Sequence, residues 1–174
     1  MSLAAFDCFL KFAEATVASK PNWPSTIDAP ELESALVGYG VVLLHSHMEQ
    51  CVRKAVEIRC SQCDDVGVRA YAISIAEEKT GRIAINELSR TLRRFGTQSQ
   101  SAFERDLVAS GLNSSWDSII HHRKNLAHSG RPASLTLADL RFYFEGIRKV
   151  LGFYCNALGL SRIEIEDVST LIDI

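Results

Sequence analysis

Proline is scarce in this chain. There are four, and three of them fall at positions 21, 24 and 30, inside one turn-rich stretch. Long hydrophobic runs are also missing. The longest, about Val37 to Leu44, is far short of the ~20 residues that a membrane-spanning helix needs. The five cysteines, Cys8, Cys51, Cys60, Cys63 and Cys155, are odd in number and scattered, a poor disulfide framework. Cys60 and Cys63 form a Cys-x-x-Cys, but no second pair or nearby His completes a zinc site. No βαβ pattern surrounds them as a redox motif would require, so they read as packed or surface thiols. Aromatic residues make up 8% of the chain, and none cluster into a base-stacking platform. There is no glycine-rich phosphate loop, since Gly38-Tyr-Gly40 falls inside a helical pattern. There is no Gly-x-Ser-x-Gly nucleophile elbow. The N-terminus lacks a basic start and carries an early Asp7, so a cytoplasmic protein is expected.

What remains is ordinary for one folded domain. The 174 residues are 47% apolar and 23% charged, enough to bury a core without a metal or disulfide staple. The net charge of −2 conceals an uneven distribution. Residues 79–149 hold 12 Lys/Arg against 6 Asp/Glu, whereas residues 1–78 hold 6 against 11. A basic middle of this kind is either a solvated helix face or a surface that attracts phosphate.

The hydrophobic period is helical almost throughout. Phe6, Leu10, Ala13 and Val17 mark a first helix over Ala4 to Ala18. Glu31 to Cys60 reads as one long helix with a stripe of Val41, Leu44, His45, Met48, Cys51, Val52, Ala55 and Val56. Gly38 and Gly40 near its start mark either a bend or a close helix–helix approach. Further helices are predicted over Val66–Glu78, over Ile83–Phe95 with Gly96 as its cap, and over Ala102–Ala109 after a polar loop from Thr97 to Ser101. Another starts at Ser114 or Ser115 and runs to His128. The last follows a Thr136/Asp139 cap and reaches Ala157. Beyond it, Arg162-Ile-Glu-Ile-Glu-Asp-Val168 alternates as a short strand or an extended arm. The expected fold is all-α: an up-and-down bundle of five or more helices over residues 1–160, with a C-terminal arm at 161–174.

The segment Trp116-Asp-Ser-Ile-Ile-His-His-Arg-Lys-Asn-Leu-Ala-His-Ser-Gly130 carries the chemistry. On a wheel with Trp116 at 0°, Ile119 falls at about 300°, Ile120 at about 40° and Ala127 at about 20°. Arg123 falls at about 340°, amid the apolar positions. A guanidinium there is either a core charge neutralised by a carboxylate, with Glu49 a candidate, or the lining of a polar cleft. His128 follows five residues on, a rise of about 7.5 Å along an unbroken helix, but points in a diverging direction. A two-fold axis could bring two Arg and two His together. His45 with His47, and His121 with His122, diverge too far around a helix to share a metal ion.

The spacing Arg123-Lys-Asn-Leu-Ala-His128 resembles the Arg-x(4–6)-His motif of the HEPN superfamily of small helical domains. The Trp-led helix before it, the Leu-Ala-His-x-Gly ending and the long apolar helix after it fit too. The block Glu87-Leu-Ser-Arg-Thr-Leu-Arg-Arg-Phe-Gly96 and the long helix bearing Glu49 are similar to the RiboL-PSP-HEPN type. The likeness spans roughly residues 31–158. It implies a metal-independent ribonuclease of toxin or defence type, without a cofactor, working as a homodimer on RNA, with a neutralising antitoxin or other protein as a further partner. Arg123 and His128 match the two fixed positions. Asn125 occupies an intervening position where polar residues are common, and Lys124 is less typical directly after the Arg. Glu49, outside the motif, is a supporting candidate. Lys124, Arg131, Arg90, Arg93 and Arg94 are candidates to hold flanking phosphates. Cleavage would use the neighbouring 2′-OH as nucleophile, with His in proton transfer and Arg123 on the phosphate oxygens. The other reading is a non-catalytic HEPN-like module that binds a nucleotide or a protein and dimerises.

Overall fold

A computed structural model describes residues 3–19, 28–79, 83–129, 135–161, 165 and 168. Seven helices account for nearly all of them, and no strand occurs among the described residues. They are α1 (Leu3–Ala18), α2 (Ala29–Ser61), α3 (Val66–Lys79), α4 (Ile85–Phe95), α5 (Thr97–Ser110), α6 (Asn113–Ser129) and α7 (Leu137–Ala157).

Helix α2 runs for 33 residues, about 50 Å, and packs against α1, α3, α6 and α7. Its buried residues repeat at three- and four-residue steps: Val37, Val41, Leu44, Met48, Cys51, Val52 and Ala55. Pro30 lies in its first turn, where the missing N–H removes no intrahelical bond. The prolines at 21 and 24 fall outside the described residues. Gly40 answers the question of bend or approach. A Cβ there would overlap Leu140 and come within 2.8 Å of Phe9 Cε1, so the glycine lets α1 and α7 close onto α2.

Helix α7 is the second central element and touches α1, α2, α5 and α6. Its start is the capping box read from the sequence. Thr136 Oγ1 accepts from the Asp139 N–H at 3.1 Å, and the Asp139 carboxylate accepts from the Thr136 N–H at 2.9 Å. That satisfies two backbone donors that would otherwise lack partners. Gly146 lies against Ser115 of α6, leaving no room for a Cβ. The α1–α7 seam is closed on the outside by Arg141, whose Nε and Nη2 donate to the two oxygens of Glu14 at 2.7 and 2.8 Å.

Three local expectations are corrected. The polar run from Thr97 is helical and not a loop. Gly96, at φ +149°, ends α4 and starts α5 within one residue, a turn that glycine alone makes cheaply. The polar side chains are then used across the turn: Gln100 Nε2 donates to Ser89 Oγ at 3.1 Å and to Glu104 Oε1 at 2.9 Å, and Ser89 Oγ also donates to Glu104. Neither Ser114 nor Ser115 caps α6, which begins at Asn113. Ser115 is buried beneath α7 instead. In the tail, Ile165 and Val168 are helical and not extended. The Ile165 N–H donates to the Ser161 carbonyl at 2.9 Å, and Val168 is buried against Cys51.

Candidate functional site

Helix α6 is anchored at its first turns. Trp116 is fully buried, and its Nε1–H donates to the Ile83 carbonyl at 2.6 Å. This fixes α6 against the segment that enters α4. Ile119 is buried one turn on. From there the inward-facing residues are Ile120, His122 and Leu126, all half-buried. Leu126 lies against Gly38 of α2, 3.6 Å from where a Cβ would stand.

This changes the expected position of Arg123. The interior stripe of α6 lies over Ser115, Trp116, Ile119, His122 and Leu126, with Ile120 half-buried at its edge, and it does not reach Arg123 or Ala127. Arg123 is therefore exposed, and so is Ala127. The guanidinium is not a core charge. Among the described residues, no carboxylate oxygen lies within ion-pair distance of it. It borders a cleft of about 420 Å³ between α2, α4 and α6, lined also by His45, Glu49, Ile83, Ala84, Asn86, Glu87 and Ile120. Of the two readings of an arginine at this position, the polar cleft holds.

Lys124, Asn125 and His128 are exposed on the same helix. Asn125 Nδ2 and His121 Nε2 form a hydrogen bond of 2.9 Å, which ties Asn125 to its own helix. His128 stands in the last turn of α6. Five residues separate it from Arg123, about 7.5 Å of rise and 140° of turn, so one copy does not aim both groups at one point. Glu49 lines the same cleft as Arg123. On α4, Glu87 faces the cleft and Arg90 Nη1 donates to it at 2.7 Å. Arg93 and Arg94 are exposed in the next turn. Arg131 lies outside the described residues.

The sequence reading placed His45 in the stripe of α2 but gave it no chemical role. Its Nδ1 stands 3.7 Å from Glu49 Oε2. Burial, and then the positive charge of Arg123, hold its pKa below the ordinary imidazole value, while Glu49 pulls the other way. His122 is likewise lowered, by burial and by His121, with Asp139 opposing. The signal for His45 was available: an imidazole inside an apolar stripe with a glutamate one turn later. Asn86 and Glu87 at the cleft depended on how α4 docks and left no comparable mark.

Among the described residues no group of three or more His, Cys, Asp or Glu could hold a metal ion. No helix is long and apolar enough to cross a membrane. Compared with family models, with curated proteins and with solved structures, the chain matches none.

Proposed function

We propose that this protein is a HEPN-like endoribonuclease of toxin or defence type, cutting RNA by 2′-OH attack without a metal ion. It leaves a 2′,3′-cyclic phosphate and a 5′-hydroxyl, and its site is composite at a two-fold dimer. The observation that carries the reading is Arg123: exposed at a cleft, free of any carboxylate partner among the described residues, on the same helix as an exposed His128. A structural arginine would be expected in an ion pair. A free guanidinium at a cleft suits phosphate oxygens on which charge develops, and an imidazole suits proton transfer near neutral pH. The exposed Arg93 and Arg94 of α4 lie about two turns beyond the cleft's own wall and supply positive charge for flanking phosphates. The dimer is supported by a groove of about 780 Å³ beside Leu126, where Tyr39 and Val42 are 56% and 51% exposed. Leu126 is two residues from His128, so a copy seated in this groove would bring a second imidazole near the first.

The same groove favours the alternative, a dimerising or protein-binding module without catalysis. Incubating the full chain with labelled single-stranded RNA in excess chelator separates the two. The nuclease yields fragments ending in 2′,3′-cyclic phosphate, and Arg123→Ala and His128→Ala stay folded but yield none. Cleavage that needs magnesium, or that persists in His128→Ala, overturns the nuclease.

A further inference from the structure

His45 is almost buried, at 9% exposure, in the stripe that fixes α2 to the core. It nevertheless forms part of the cleft wall. The charged groups that share this cleft are Glu49 from α2, Glu87 from α4 and Arg123 from α6, with Ile83 and Ile120 as apolar walls. The volume of about 420 Å³ is within the range of small-ligand sites and admits one nucleotide unit. Glu87 is held by Arg90 at 2.7 Å, which leaves Arg123 open to a phosphate and Glu49 beside His45. This set is matched to a proton transfer next to a bound phosphate. The imidazole has a carboxylate 3.7 Å from its Nδ1, longer than a hydrogen bond but close enough to attract a proton to that side, and a guanidinium borders the same space.

We propose that His45 is the catalytic base of the Arg123 cleft, oriented by Glu49, and that it takes the proton of the attacking 2′-hydroxyl. The inference rests on the nuclease reading and names the base within it. In the step, the O2′–H bond breaks and its proton passes to His45 Nε2. O2′ bonds to phosphorus while Arg123 holds the non-bridging oxygens. The P–O5′ bond breaks, and O5′ takes a proton from the protonated His128 of the partner subunit, which the composite site brings to this cleft. One proton is gained by an imidazole and one is lost by another, so the transesterification consumes no water. The buried, partly desolvated position keeps His45 neutral near pH 7, as an acceptor must be.

The test is the pH–rate profile of RNA cleavage by the full chain and by His45→Gln, Glu49→Gln and Arg123→Ala. His45→Gln is expected to lower kcat by about 100-fold or more with KM little changed, and to abolish the acidic limb of the profile. Glu49 raises the affinity of His45 for its proton, so Glu49→Gln should move the acidic limb to lower pH, which a merely structural role would not do. Thermal melts keep folding and chemistry apart. If His45→Gln does not fold, the acidic limb of Glu49→Gln decides: an unmoved limb overturns the proposal. A folded His45→Gln that cleaves like the wild type, beside an inactive Arg123→Ala, removes His45 and leaves the nuclease standing. A wild-type chain that cleaves no RNA at any pH brings down both.

Discussion

Arg141 and Arg123 present the same guanidinium on two helices that pack together, and both face carboxylates. At the α1–α7 seam, Arg141 binds Glu14 through two parallel hydrogen bonds and reaches Asp7 Oδ1 at 3.4 Å. Asp7 in turn holds Lys11 at 2.6 Å. Every charge there has a partner, and the seam is closed beneath by Phe6, Phe9 and Phe144, with ring centroids 4.9 to 5.8 Å apart. At the α2–α4–α6 cleft, Arg123 shares the lining with Glu49 and Glu87 and pairs with neither, Glu87 being held by Arg90 at 2.7 Å. One arginine is used up in holding two helices together. The other is left open to solvent, and to whatever enters the cleft. The difference teaches that the type of residue does not decide its role. How completely its donors are satisfied does.

Exchanging the two arginines for alanine is the sharpest way to break this contrast. Arg123→Ala should lower RNA cleavage by about 10³-fold, the scale of losing a preorganised donor to a developing oxyanion, with its melting midpoint unmoved. Arg141→Ala should leave cleavage within about twofold, since it lies far from the cleft's walls. A cleavage loss in Arg141→Ala equal to that in Arg123→Ala would erase the distinction.

The two glycines of α2 probe the same contrast through packing. Gly40 faces the closed seam, and a Cβ there collides with Leu140 and Phe9. Gly40→Val should therefore cost about 1–3 kcal/mol in urea unfolding, the usual range for overpacking. Gly38 faces Leu126 with ordinary clearance, 3.6 Å. Gly38→Ala should be neutral or stabilise by up to about 1 kcal/mol, because alanine is the better helix former.

The smallest effect is in the response to acid, and it differs on the two sides. The Arg141 hydrogen bonds hold the Glu14 carboxyl below its usual value, so its stabilisation is present above that value and is lost as pH falls through the lowered one. Arg141→Ala should cost about 0.5–1 kcal/mol at neutral pH and flatten the melting curve near pH 4. His45 is depressed instead by burial and by Arg123. The folded chain resists protonating it, whereas the unfolded chain binds the proton at about 6.5, so stability should fall as pH drops below that point. His45→Gln should remove this part of the slope and leave the Glu14 part. Melting midpoints from pH 7 to pH 3.5 check both.

Much of the fold was readable from local patterns. The stripe of α2 and the Thr136/Asp139 box each depend on residues within a turn or two of one another, and each is found as expected. The start of α5 was hidden because polar residues from Thr97 looked like a loop. Their partners, Ser89 and Glu104, lie across a glycine turn. Ser115 looked like a cap because a serine before an apolar run usually is one, and only Gly146 on another helix makes it an interior residue. The site divides the same way. Arg123 and His128 were candidates from their spacing, and Glu49 was a candidate partner on α2. Whether Arg123 was inside or outside could not be read from one helix. Its angle placed it amid the apolar positions, and although Ile120 on that face packs inward, Arg123 itself is exposed at the cleft.

The amino-acid order by itself determined the helical period, most helix ends, the concentration of positive charge between residues 79 and 149 and the Arg123/His128 pair, because each of these is a property of neighbours along the chain. Only the tertiary structure decided that Arg123 opens into a cleft, that His45 and Glu49 share it, and that Arg141 does not remain free. Those outcomes depend on how helices far apart in sequence approach one another, and so on which buried or charged groups find a partner when they do.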